Sequence, residues 1–191
     1  MTILRVAPGG FAPSAVVTPA NAVTVLRVAG TPLLVFLVLS LGPSWAALAT
    51  WVALVGSDSL DGWLARRQGV TTSGAFLDPL ADKVLILGAL SAIAARGWVG
   101  WVPVVLIALR ELAMSLYRAV LSRRHLSVPA RPLAKAKTAV QGLAVALVLA
   151  PPVGLHHLWA GQDLLWAAVV LAFLSGAQYA FDGRRPALAR A

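Results

Sequence analysis

The stretch Asp58–Asp82 reads D-S-L-D-G-W-L-A-R-R-Q-G-V-T-T-S-G-A-F-L-D-P-L-A-D and holds four of the chain's 7 acidic residues: Asp58, Asp61, Asp78 and Asp82. The sequence on either side is strongly apolar. An isolated carboxylate is costly in such surroundings, so four together call for a compensating cation. Asp58 and Asp61 stand three apart and Asp78 and Asp82 four apart, so on helices each pair shares one face about one turn apart. Between the pairs, Gly62, Gly69 and Gly74 with Thr71, Thr72 and Ser73 suit a tight turn joining two antiparallel helices. Folded that way, the four carboxylates face one another, and they cannot all stay ionised without neutralisation. Hard divalent cations such as Mg2+ prefer oxygen ligands, and two ions bridged by shared carboxylates would relieve the repulsion. The chain has no Cys and its 3 His lie elsewhere, so no thiolate or imidazole metal site is indicated.

Composition sets the environment of this stretch. The chain has 191 residues, 59% hydrophobic and 12% charged, with a mean hydropathy of +0.82. That is the balance of an integral membrane protein rather than a soluble domain. Six apolar stretches run over roughly 23–41, 45–67, 75–95, 98–122, 133–150 and 159–181. Each is near the ~20 residues needed to cross a bilayer core. They are separated by Gly42-Pro43-Ser44, the Asp-rich stretch, Arg96-Gly97, the basic run Arg123–Arg131 and Pro151-Pro152. Pro79 either begins the regular part of its helix or kinks it. The predicted fold is an all-α integral membrane protein of six transmembrane helices. It has a flexible segment at 1–18, one membrane domain at 19–183, a basic tail at 184–191 and no internal repeat. A secretory signal is not expected, because Pro8, Gly9, Gly10 and Pro13 interrupt any apolar core near the start.

Orientation follows from Lys and Arg. Arg66, Arg67, Arg123, Arg124, Arg131, Lys135, Lys137, Arg184, Arg185 and Arg190 fall in alternate connections or the tail, while the other side shows Arg96 and little else. The positive-inside rule then puts both termini and the acidic stretch at the cytoplasmic edge of the cell membrane. Trp98, Trp101, Trp159 and Trp166 fit an aromatic belt at the opposite edge. The net charge of +9 reads as loops facing anionic lipid rather than as a nucleic-acid footprint.

These residues resemble the signature of the CDP-alcohol phosphatidyltransferases, D-x-x-D-G-x-x-A-R-…-G-x-x-x-D-x-x-x-D, here Asp58, Asp61, Gly62, Ala65, Arg66, Gly74, Asp78 and Asp82. Seven residues separate Arg66 from Gly74, where the family more often has eight or nine. The resemblance implies an enzyme that moves the phosphatidyl group of a CDP-linked lipid onto an alcohol and releases CMP. It also implies roles. Asp58, Asp61 and Asp78 would hold one divalent cation, Mg2+ or Mn2+, and Asp58, Asp78 and Asp82 a second. Asp82 would be the general base. Gly62, Ala65 and Gly74 would let the CDP headgroup approach the backbone, with Arg66 and Thr71 in contact with it. The resemblance extends to Asn21, Thr24 and Arg27, spaced three apart, which matches a pattern the family often shows before its first span and points to CDP contacts. Taken alone, Asn21 reads as a helix cap. A homodimer is expected by resemblance only.

In the second half, R-E-L-A-M-S-L-Y-R from Arg110 to Arg118, followed by K-A-K-T-A-V-Q from Lys135 to Gln141, resembles the branch of that family whose acceptor is glycerol 3-phosphate. Ala134 stands where that branch has Gly. A dianionic phosphate needs cationic partners, and Arg110, Arg118, Lys135 and Lys137 are the candidates. Internal pairing of Arg110 with Glu111 inside the bundle competes with that reading on equal terms. His156 and His157 read as surface residues, Asp163 as a helix cap and Asp182-Gly183 as the end of the last helix. Other acceptors within the family are phosphatidylglycerol, inositol phosphate and serine. A cation transporter would also carry intramembrane carboxylates, but it has no need of Gly62, Ala65, Arg66 and Gly74 at fixed offsets. A non-catalytic membrane scaffold has no use for four clustered Asp.

Overall fold

The computed structural model describes the backbone of residues 19–68, 72–123, 132–154 and 156–188, and the side chains of 23–57, 79–120, 133, 136–153 and 156–178. The expected N-terminal segment 1–18, Gly69 and Thr71 of the connection after the second helix, and most of the basic run lie outside the described residues. Among the described residues the secondary structure is helical. The elements are α1 (Pro19–Leu41), α2 (Trp45–Gln68), α3 (Thr72–Ala95), α4 (Trp101–Arg123), α5 (Pro132–Leu149), a single turn α6 (Pro151–Gly154) and α7 (Leu158–Leu188).

The helix ends follow from local chemistry. Pro19 opens α1, where its missing N–H goes unnoticed. Gly42, at φ +73°, closes that helix with its N–H donating to the Val38 carbonyl at 3.2 Å. Ser44 then caps α2, its Oγ accepting from the Ala47 N–H at 3.2 Å. Gly97, also at φ +73°, ends α3 in a Schellman turn, in which the Trp98 N–H reaches the Ile93 carbonyl at 3.2 Å and the Gly97 N–H reaches Ala94 at 2.9 Å. This turn delays α4 to Trp101, three residues later than the apolar pattern indicates. Pro79 lies inside α3 rather than at its start.

Three local expectations are corrected. Asn21 is the third residue of α1, so it does not cap it. Asp163 is exposed within α7, which begins five residues earlier because Leu158 and Trp159 already belong to its apolar run. Asp182-Gly183 does not end α7, which continues to Leu188. One glycine costs about 1 kcal/mol in a helix interior, too little to stop a helix already propagated over more than twenty residues.

In the bundle, α1 packs on both α2 and α3, α5 packs along α7, α7 rests on α4, and α3 joins the two groups through α4 and α5. Small residues let the axes approach. Ala47, Ala81, Ala89 and Ala168 have no exposed surface. A Cβ on Gly30 of α1 would stand 2.7 Å from Leu54 Cδ2 of α2, and one on Gly161 of α7 would collide with Val148 of α5. Leu34, Val38, Leu90, Ile93, Ile107 and Val145 fill the centre.

Polarity is inverted relative to a soluble protein. Leu26, Leu33, Phe36, Val52, Leu109 and Phe173 point outward, whereas Arg27, Arg110, Glu111, Lys137 and Gln141 are buried. Two helical segments, Val23–Leu41 and Leu158–Gln178, are long and apolar enough to cross a membrane, and Trp45–Ser57 and Ala136–Leu149 are shorter apolar stretches. Asp82 and Lys83 interrupt α3, and Arg110, Glu111 and Arg118 interrupt α4.

One end of the bundle is tightly closed. Arg96 Nη1 donates to the Leu39 carbonyl at 2.9 Å, its guanidinium lies 5.2 Å over Trp98, and Trp98 in turn covers Gly42. The Gly100 N–H donates to Gln162 Oε1 at 2.8 Å, joining the starts of α4 and α7. Trp45, Trp101 and Trp159 are exposed at this end, and His156 and His157 are exposed beside them, as expected of surface residues. Apart from Asp163 near the start of α7, the other charged positions of the described helices lie in their middles or toward the other end, where α1, α3 and α5 begin and α2, α4 and α7 finish.

Candidate active site

Helix α2 carries Asp58 and Asp61 in its second half, and α3 carries Asp78 and Asp82 in its first half. Each pair thus lies one turn apart on its own helix, as the spacing predicts. The side chains of Asp58, Asp61 and Asp78 lie outside the described residues, as do those of Gly62, Ala65, Arg66 and Gly74. Among the described residues alone, no group of three His, Asp or Glu side chains could hold a metal ion.

Asp82 is described, and its surroundings are informative. Arg27 of α1, with 0% side-chain exposure, donates from Nη1 to Asp82 Oδ1 at 2.6 Å, while Asp82 itself is 50% exposed. The same guanidinium donates from Nε to Ser57 Oγ at 3.2 Å, and Ser57 donates to the Leu54 carbonyl at 2.7 Å. Thr31 Oγ1 returns a hydrogen bond to the Arg27 carbonyl at 3.0 Å. Thr24, one turn before Arg27 on the same face, is also buried. One arginine of α1 therefore bridges the residue preceding Asp58 and the last acid of the motif. The Asp82 carboxyl thus faces a cation of α1 while half its side-chain surface is exposed, and a carboxylate oxygen is the kind of donor that Mg2+ prefers.

A second polar cluster lies deeper, among α4, α5 and α7. Glu111 Oε1 accepts from Arg110 Nη1 at 3.0 Å and also from Lys137 Nζ. Arg110 further donates from Nη2 to Ser175 Oγ at 2.5 Å and from Nε to the Ala172 carbonyl at 3.1 Å. Charges this deep persist only when paired and hydrogen-bonded. The structure thus brings Arg110 and Lys137 together on Glu111, the internal pairing that the sequence admits. Arg118 is not part of that network. It is exposed and makes one long contact, 3.4 Å from Nε to the Met114 carbonyl. The Lys135 side chain lies outside the described residues. Gln141, one turn beyond Lys137, is buried with its Nε2 unpartnered among the described residues.

Three participants escape sequence reading. Arg27 is visible only as part of a spaced trio, although a lone arginine in an apolar helix is itself a signal that it pairs inside the bundle. Lys83, half-buried next to Asp82, lies within electrostatic reach of Arg118, Glu111 and Asp82. Ser175 leaves no trace in the sequence, since nothing in α7 marks it from other small residues.

The site and its helices define a class. The chain matches the sequence profile of the CDP-alcohol phosphatidyltransferases over residues 17–176 and belongs to that family. It is a phosphatidyltransferase and a membrane protein. Among its relatives, a probable phosphatidylglycerophosphate synthase of Mycobacterium tuberculosis is 36% identical over 166 residues, covering 84% of this chain and 78% of that protein. A CDP-diacylglycerol–glycerol-3-phosphate 3-phosphatidyltransferase of Rickettsia bellii is 30% identical over 165 residues, covering 83% of this chain and 91% of that protein. A cardiolipin synthase (CMP-forming) of Oryza sativa subsp. japonica is 34% identical over 156 residues, covering 72% of this chain and 47% of that protein.

Proposed function

We propose that this protein transfers the phosphatidyl group of CDP-diacylglycerol to glycerol 3-phosphate, giving phosphatidylglycerol phosphate and CMP. The observation that carries the reading is the acidic motif divided between the second half of α2 and the first half of α3, with its last acid, Asp82, held by Arg27. The names of the mycobacterial and rickettsial relatives support the acceptor. The rice relative favours a second reading, with phosphatidylglycerol as acceptor.

Members of the family generally use divalent metal ions. Asp58, Asp61 and Asp78 would hold one, and Asp58, Asp78 and Asp82 the other. When bound, such ions neutralise the pyrophosphate and stabilise the departing CMP. The protein's own groups do the rest. Asp82 takes the proton of the acceptor hydroxyl, whose oxygen forms the new bond to the phosphatidyl phosphorus, and CMP leaves with the electron pair of the broken P–O bond. Asn21, Thr24, Gly62, Ala65, Arg66, Thr71 and Gly74 bind the CDP headgroup. Arg118 and Lys135 meet the acceptor phosphate at the open end, while Arg110 and Lys137, bonded to Glu111, form the cationic wall behind them.

All six long helices span the cell membrane, with both termini and the site at the cytoplasmic face. The clustering of Lys and Arg at that end supports this orientation. The protein works as a homodimer, and crosslinking to a monomer alone in native membranes would remove that part. The test of function is an acceptor panel. Purified protein with CDP-diacylglycerol and Mg2+ is expected to label lipid from radioactive glycerol 3-phosphate and to release CMP, and stronger labelling from another acceptor overturns the assignment. In the same assay Arg118→Gln raises the KM for glycerol 3-phosphate by about tenfold and changes kcat little, the pattern of a lost binding contact to phosphate.

A further inference from the structure

Arg27 is fully buried in a helix apolar enough to cross a bilayer. A guanidinium so placed is costly without counter-charge. Among its partners are Asp82, the last acid of the motif, and Ser57, the residue before the first acid. One cation of the chain therefore touches both the last acid of the stretch and the residue that precedes its first. Asp82 nevertheless keeps half its side-chain surface exposed. Four acids sharing one site would repel one another, and a permanent positive charge beside them would lower that cost before any divalent ion arrives.

We infer that Arg27 is the resident counter-cation of the acidic cluster: it holds Asp82 in position in the ion-free protein and competes with the divalent ion for its carboxylate. This rests on the reading of the cluster as a divalent-cation site. Two consequences separate it from simple packing. With a neutral residue at 27, the cluster carries more net negative charge, so it binds divalent ions more tightly. The same protein without ions is less stable, because the carboxylates then repel unopposed. A residue that served only to pack α1 against α2 and α3 would lower stability equally with and without ions and would leave ion affinity unchanged.

The experiment uses the full chain in lipid nanodiscs. Mn2+ binding is followed by electron paramagnetic resonance, and thermal unfolding is measured with EDTA and with saturating Mg2+. Arg27→Gln is expected to lower the Mn2+ Kd by about tenfold, as removal of one nearby like charge predicts. It should also show a larger Mg2+-induced rise in Tm than the unsubstituted protein. Arg27→Lys, which keeps the charge on a compact ammonium, should stay near the unsubstituted affinity. Recovery of Arg27→Gln only when Mg2+ is present also supports the inference, as the same linkage at its extreme. Mn2+ affinity in Arg27→Gln that is unchanged or weaker overturns it. If that variant is recovered under neither condition, the Arg27 guanidinium resonance of 15N-arginine-labelled protein, assigned through Arg27→Lys, decides: it shifts on Mg2+ titration, and a resonance indifferent to Mg2+ overturns the inference. Absence of Mn2+ binding by the unsubstituted protein removes the divalent-cation site itself, and the role of Arg27 with it.

Discussion

Asp82 answers to two partners. It is the proposed proton acceptor, and it is also the carboxylate that lets Arg27 stay buried. Asp82→Asn should therefore do two things at once. An amide cannot take the acceptor's proton at neutral pH, so CMP release should fall by roughly 10^2–10^4-fold. The fold should survive with a lower Tm, because a buried guanidinium loses its charged partner. Turnover near that of the unsubstituted protein in a CMP-release assay would remove Asp82 from its catalytic role. At this scale the sequence is a good guide where residues repeat a motif and a poor one where a contact crosses the bundle. Asp58, Asp61, Asp78 and Asp82 announce themselves as the bulk of the acidic residues in one stretch. The pairing of Arg27 with Asp82 spans 55 positions, and no local pattern encodes it. Arg110 and Lys137 show a further limit: spacing marks them as functional or structural cations, but only packing shows that both lean on Glu111.

Helices are legible from their apolar runs, and their ends only where a strong punctuator intervenes. Gly42-Pro43-Ser44 is read correctly because it combines a left-handed glycine with an N-cap serine. Asp182-Gly183 misleads because a single glycine is a weak stop. Contacts between helices are set by small residues whose partners the sequence does not name. Gly161 and Gly30 illustrate the difference. A Cβ at Gly161 runs into Val148, a β-branched side chain with little rotamer freedom, whereas one at Gly30 meets the terminal methyl of Leu54, which can swing aside. Gly161→Ala should therefore destabilise the α5–α7 pair by about 1–3 kcal/mol and Gly30→Ala by less. Thermal unfolding in detergent would show it, and restoration of the Gly161→Ala loss by adding Val148→Ala would locate the clash. Equal Tm values for the two glycine variants would contradict this account.

Among the described residues the molecule is a bundle with buried charged side chains beside its apolar core, large apolar side chains exposed around it, and a closed Arg96–Trp98 end. The absence of Cys from the chain makes the proposed orientation easy to probe. His157→Cys, at the closed end, should react with a membrane-impermeant maleimide on intact cells. Gln68→Cys, at the end of α2, should react only after permeabilisation, and the reverse pattern would invert the topology. The order of synthesis gives the α1–α3 contact one more consequence. A ribosome delivers α1 first, and the carboxylate that settles its arginine is encoded 55 positions downstream. That ion pair therefore forms only once the third helix has emerged, which ties the settling of α1 to that of α3.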